Sequence, residues 1–146
     1  MVDRGRIPVA EDCLAGDCMK TLACAIMFTN AALFFFGAVQ HAGVAIGPLH
    51  EPLIVPAAIV EGLCGMSLVF GGAAVSIHRR AFRVAISANL FALAGVLLGV
   101  VALALGAGPR TRSNTIYHEI MLVLIAASLL FLRQTSKKTV SQVPQR

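Results

Sequence analysis

The chain reads as an all-α integral membrane protein, an antiparallel four-helix bundle with both termini in the cytoplasm. Three observations carry that reading. Hydrophobic residues make up 58% of the 146 positions and charged residues only 13%, against about 25% charged in soluble domains, and the mean hydropathy is +0.82. The apolar residues fall into four runs, broken by short stretches of Gly, Pro or Arg, and each run approaches the ~20 residues that cross a bilayer as a helix. Lys and Arg gather on alternate sides of those runs, which is how orientation is written into a multi-span chain.

Residues 1–20 are polar and hold four of the seven acids, Asp3, Glu11, Asp12 and Asp17. They read as a loosely ordered cytoplasmic tail. The apolar run after them starts too late and runs too long for a cleaved signal peptide, so it is expected to stay as an anchor. The first span covers 21–44, about 36 Å of helix at ~1.5 Å per residue. Asn30, Phe34, Gly37 and His41 share one helical face, and that face carries most of the span's polarity. It should turn toward the other helices rather than lipid.

Residues 45–52, with Pro48, His50, Glu51 and Pro52, form a loop. Pro52 suits the first turn of the next helix, where a missing N–H costs nothing. The second span, 53–77, puts Ala57, Glu61, Cys64 and Leu68 on one stripe. Gly62, Gly65, Gly71 and Gly72 permit close approach of a neighbouring backbone. The third span, 82–105, carries Asn89 as its strongly polar residue, with Gly95 and Gly99 four apart. A second loop, GAGPRTRSNT, leads to the fourth span, 116–132, with Tyr117, His118 and Glu119 in its first turn. Residues 133–146 read as a basic, disordered tail.

The tails and the turn at 78–83 hold Arg4, Arg6, Lys20, Arg79, Arg80, Arg83, Arg133, Lys137, Lys138 and Arg146, whereas the other side holds only Arg110 and Arg112. The positive-inside rule puts both termini in the cytoplasm. The net charge of +5 is explained by that asymmetry. A nucleic-acid partner is excluded, because the basic residues flank apolar runs and have no interleaved aromatics. The partners implied are the bilayer and other membrane subunits.

Glu61 is the residue most in need of an explanation. No other charged residue lies within nine positions on either side of it. A carboxylate inside an apolar span is costly to bury, which makes it a functional-site hypothesis. Beyond Asp17 the chain has only three carboxylates, Glu51, Glu61 and Glu119, and three of its four histidines are His41, His50 and His118. The expected topology gathers all six at the outer end of the bundle.

Three chemistries compete for that cluster. A desolvated Glu61 and a neighbouring His41 or His118 can exchange protons near neutral pH, and a quinone head group needs only one or two such polar partners in an apolar cleft. Imidazole and carboxylate also suit a transition metal, with His41, Glu61, His118 and Glu119 as candidate ligands. No Glu-x-x-His motif supports that set, and bis-His haem through His41 and His118 lacks a haem motif. Third, the polar groups serve packing alone, with Glu61 fixing helix register and His50, Glu51 and Glu119 as solvated rim groups. Cys64 reads as a small buried hydrophobe. Cys13, Cys18 and Cys24 fall on the reducing side of the membrane with no CxxC spacing. Asn30 and Asn89 read as hydrogen-bonding residues between helices. A catalytic triad and a phosphate-binding Gly loop are both missing, so a self-contained soluble-type active site is not expected.

The pattern Gly43, Pro48, Pro56-Ala57, Val60-Glu61-Gly62, Gly65, Leu68, Gly71 and Arg79-Arg80-Ala81 resembles the DoxX-like family of small four-span bacterial membrane proteins. The resemblance covers roughly residues 30–132. It rests on small residues and one Glu. It implies a multi-pass protein of the bacterial inner membrane that acts in a redox system, since some members are subunits of thiosulfate:quinone oxidoreductases or of thiol-redox complexes. The residue it carries over is Glu61. The expectation is therefore an accessory or quinone-facing subunit with a buried proton-exchanging Glu61, partnered by His41 and His118. The alternatives are a non-enzymatic scaffold or assembly protein and a metal-binding membrane protein.

Overall fold

The computed structural model describes residues 9–46, 51–78, 81–108 and 110–141, with side chains placed from Asp17 to Lys137. Four helices account for almost all of them: α1 (Val9–His41), α2 (Val55–Ile77), α3 (Phe82–Ala104) and α4 (Arg112–Ser141). No strand is present among the described residues. Each helix packs on the next in sequence and α4 returns to α1, closing a four-helix bundle. Segments of all four, Asp17–His41, Val55–Ile77, Phe82–Ala104 and Arg112–Lys137, are long and apolar enough to cross a membrane. Large apolar side chains such as Ile59, Phe70, Leu98 and Val123 cover the outside of the bundle. Soluble monomers seldom expose so much apolar surface.

Small residues set the spacing of the helices. The core is built from Ala23, Met27 and Ala31 of α1, Leu68 of α2, Ala85 and Ala92 of α3, and Met121 and Ile125 of α4. A Cβ at Gly71 would stand 3.2 Å from the Ala85 backbone, and one at Gly65 would stand 2.9 Å from the Phe35 ring. These two glycines are contact positions, as expected. Gly62 faces open space and makes no such contact, because it lies on the edge of the buried stripe of α2.

The helix ends depart from the expected boundaries for local reasons. α1 ends at His41 rather than at residue 44, because Gly43 adopts φ +80° and the Val44 N–H returns to the Val39 carbonyl at 3.3 Å. α2 begins at Val55, so Pro56 rather than Pro52 occupies its first turn. The Ile54 N–H bonds the His41 carbonyl at 2.8 Å and ties that start to the end of α1. α3 closes on Gly106 at φ +74°. The Arg110 guanidinium donates to the carbonyls of Leu103 and Ala104 at 3.0 and 2.8 Å, satisfying orphan groups of a helix C-terminus. α4 begins at Arg112, ahead of the expected residue 116, because the Thr111 hydroxyl accepts the Asn114 N–H at 3.1 Å, an N-cap bond.

Two stretches expected to be irregular are helical. α1 starts at Val9, inside the region that reads as a loose tail, and α4 continues past Leu132 to Ser141. Hydropathy marks where a span ends, not where the i to i−4 ladder ends. Beyond Leu132 that ladder continues, and Thr135 is still buried, with its hydroxyl on the Phe131 carbonyl at 3.0 Å.

Candidate functional site

The polar face predicted for α1 is buried along its whole length: Asn30, Phe34, Gly37 and His41 all face the bundle interior. On α2 the stripe of Glu61, Cys64 and Leu68 is buried as well. These two faces meet near the end of α1. There His41 Nε2 stands 3.6 Å from Glu61 Oε1, and the two side chains are only 4% and 8% exposed. The His41 backbone is held by the Ile54 bond, so its ring enters the interior from a fixed point.

α4 supplies the rest of the site. The Tyr117 hydroxyl and Glu61 Oε2 both border Gly37; the hydroxyl aims at the Leu33 carbonyl at 3.4 Å, and Glu61 Oε2 has no hydrogen-bond partner among the described residues. Gly37 makes room for this meeting, since a Cβ there would stand 2.7 Å from Glu61 Oε2 and run into the Tyr117 ring. His118 is buried at 8% exposure. Its Nδ1 faces the Asn114 carbonyl at 2.9 Å, and its ring lies edge-on to Tyr117 with centroids 5.3 Å apart. The other edge of the His118 ring fills a notch over Gly99, where any Cβ would collide with it. Gly95 accommodates the Cys64 sulfur in the same way. The Gly95 and Gly99 pair thus receives side chains from α2 and α4.

His41, Glu61, Tyr117 and His118 share the lining of a cleft of about 280 Å³ whose other walls include Ile54, Val60, Val96 and Leu103. The structure therefore brings together the three residues singled out from the sequence, and His118 lies within electrostatic range of His41. The immediate neighbour of Glu61 on α4, however, is Tyr117 rather than His118. Tyr117 is the chain's single tyrosine and lies three positions after Asn114, on the same helix face. Spacing does not separate it from His118, which lies four positions after Asn114 on the same face.

The rim residues divide. Glu119 is exposed, one position further round α4 from the buried His118, and takes no part in the site. Among the described residues no group of three or more His, Cys, Asp or Glu is arranged to hold a metal ion. Glu51, expected as a solvated loop group, is instead buried at 6% exposure. Its Oε1 accepts hydrogen bonds from Thr111 at 2.7 Å and Ser113 at 2.5 Å. The start of α4 folds over it, a contact between residues about sixty apart that no local pattern announces. His50 lies outside the described residues.

Away from the site, Asn89 does bond between helices, its amide donating to Met27 Sδ of α1 at 2.7 Å and to the Ala85 carbonyl at 3.0 Å. Cys18 is exposed, and Cys64 is buried within the core. No family model, characterised protein or solved structure matches this chain.

Proposed function

We propose that the chain is an antiparallel four-span protein of the bacterial inner membrane, with both termini in the cytoplasm, serving as an accessory or quinone-facing subunit of a membrane redox system. The observation that carries this reading is the His41–Glu61 pair, buried at 3.6 Å in an apolar cleft with Tyr117 and His118. Short connections between consecutive packed helices favour the antiparallel arrangement, and the ten-to-two Lys/Arg asymmetry favours the orientation. The DoxX-like resemblance at Glu61 supports the redox assignment.

In this reading Glu61 holds and releases a proton at its carboxyl group. His41 Nε2 is the facing acceptor or donor. The Tyr117 hydroxyl stands beside the carboxyl across Gly37, and His118 donates or accepts at the far wall. Two oxygens at the ends of an apolar ring system are what such a pair of polar walls would receive. A bound quinone would supply the electron-accepting chemistry. The chain would supply apolar enclosure and the proton. Glu61→Gln should abolish electron transfer by the assembled complex while the protein still inserts with unchanged helicity. Full activity in that variant would remove the proposal.

A second reading is a scaffold or assembly protein. It is favoured by the close fit of Tyr117, Cys64 and His118 into the glycine notches at Gly37, Gly95 and Gly99, since such fitting also fixes helix register. In that case Glu61→Gln, His41→Ala and His118→Ala would change thermal stability in detergent and nothing else.

A further inference from the structure

A second cleft, of about 360 Å³, lies between α1 and α4 and shares only His41, Asn114 and Tyr117 with the first. Its walls are Leu33, Phe36, Ile116, Ile120 and Met121. Phe36, Ile116 and Ile120 are exposed on the outer surface of the bundle, so the cleft opens sideways, toward the lipid-facing side. Its closed end is polar. Gln40 lines it at 6% exposure, and neither its amide nitrogen nor its amide oxygen has a hydrogen-bond partner among the described residues. Glu51 lines it at 6% exposure too. Its Oε1 is occupied by Thr111 and Ser113, whereas Oε2 has no partner among the described residues.

Buried polar groups are almost always paired, and leaving an amide and a carboxylate oxygen unpaired is expensive. Neither is used by the Glu61 chemistry. Among the described residues no Lys or Arg lines the cleft, and its one imidazole, His41, has Nε2 turned to Glu61 at 3.6 Å, so an anionic head group finds no fixed positive charge there. With Oε1 taken by two hydroxyl donors, Oε2 is the free acceptor, and the strongest partner for such an oxygen is a cationic donor. The Gln40 oxygen adds a second acceptor.

We propose that this lateral cleft binds an amphiphile with an ammonium head group, its nitrogen donating to Glu51 Oε2 and the Gln40 carbonyl, and its hydrocarbon chain lying along Phe36, Ile116 and Ile120. The site stands independently of the proton-exchange reading. Its occupant comes either from the bilayer, as an ethanolamine-headed phospholipid, or from solution, as a long-chain amine.

The chain has one tyrosine and no tryptophan, and Tyr117 lines the cleft, so intrinsic emission reports binding directly. The full chain in neutral maltoside micelles is titrated with dodecylammonium and, separately, with dodecanol. Dodecylammonium should give a saturable change in Tyr117 emission that dodecanol does not match. Glu51→Gln and Gln40→Leu should each weaken it by on the order of tenfold, the loss expected for one charge-assisted hydrogen bond, and Glu61→Gln should leave the affinity unchanged. Competition by an ethanolamine-headed phospholipid, with none by a glycerol-headed one, assigns the occupant to the bilayer. Absence of competition by either assigns it to solution. Equal binding of dodecanol, unchanged affinity in both Glu51→Gln and Gln40→Leu, or a loss confined to Glu61→Gln overturns the proposal. The last result would move the ligand to the first cleft.

Discussion

His41 closes α1 and Glu61 sits two turns into α2, yet Nε2 and Oε1 stand 3.6 Å apart with both side chains almost wholly buried. The pairing depends on the tight turn at Gly43 and on the Ile54–His41 backbone bond, which set the last turn of α1 against the first turns of α2. A buried pair of this kind is coupled energetically, because removing one member leaves the other desolvated and alone. In a double-mutant cycle on thermal unfolding, His41→Ala and Glu61→Gln should therefore show a coupling above about 1 kcal/mol, larger than the ~0.6 kcal/mol average for hydrogen bonds between membrane helices. Strict additivity would mean that the two groups do not sense one another.

Glycine substitutions should separate sharply by position. A Cβ at Gly99 meets the His118 ring, and one at Gly37 meets Tyr117 and Glu61. Gly99→Ala and Gly37→Ala should each cost about 1–3 kcal/mol through overpacking and displace the site's aromatic wall. Gly62 has nothing within 4 Å of its notional Cβ, so Gly62→Ala should be neutral or stabilise by about 0.5–1 kcal/mol through helix propensity. Denaturation midpoints measured in detergent distinguish these outcomes, and a uniform response of all three would count against the notches.

The start of α4 hangs on Thr111, which caps the helix through Asn114 and holds Glu51 across sixty positions. Thr111→Val keeps the shape and removes both bonds. It should destabilise by about 1–2 kcal/mol, the range for a lost N-cap, and should raise proteolysis in the 42–54 connection. Limited proteolysis followed by mass spectrometry reads that effect. Wild-type protection in the variant would mean that the Thr111–Glu51 bond does not hold the connection in place.

The bundle is legible in the sequence because its signals are one-dimensional. Run length and helical face need no knowledge of contacts, and the buried face holding Asn30, Gly37 and His41 follows from them. The convergence of Glu61 with His41 and His118 follows as well, since the alternation of spans expected from the sequence sends all three to one end. What stays hidden depends on rotation and on loop folding. Periodicity places Tyr117 and His118 one residue apart but not which of them turns to Glu61. Composition places Glu51 in a Pro-rich loop but does not reveal that Thr111 and Ser113 fold over it. The helix ends beyond Leu132 and before Thr21 escape for a simpler reason: hydropathy reports membrane spanning, whereas the helix itself needs only backbone hydrogen bonds.

Orientation has a direct chemical test. Cys18 is exposed near the N-terminal end of the first candidate span, whereas Cys64 is buried at 1%. With Cys13 replaced by Ser, a membrane-impermeant maleimide should label the chain through Cys18 in inverted membrane vesicles and not in intact spheroplasts. Exposure rather than intrinsic reactivity decides the contrast, since a buried thiol in apolar surroundings is inert. A cytoplasmic Cys18 also fixes the other end. With four spans in alternation, the His41–Glu61 cleft and Glu51 would then lie at the outer face, the side on which the proposed proton exchange would take place. Labelling in spheroplasts instead would invert the bundle and place the same cleft on the cytoplasmic face.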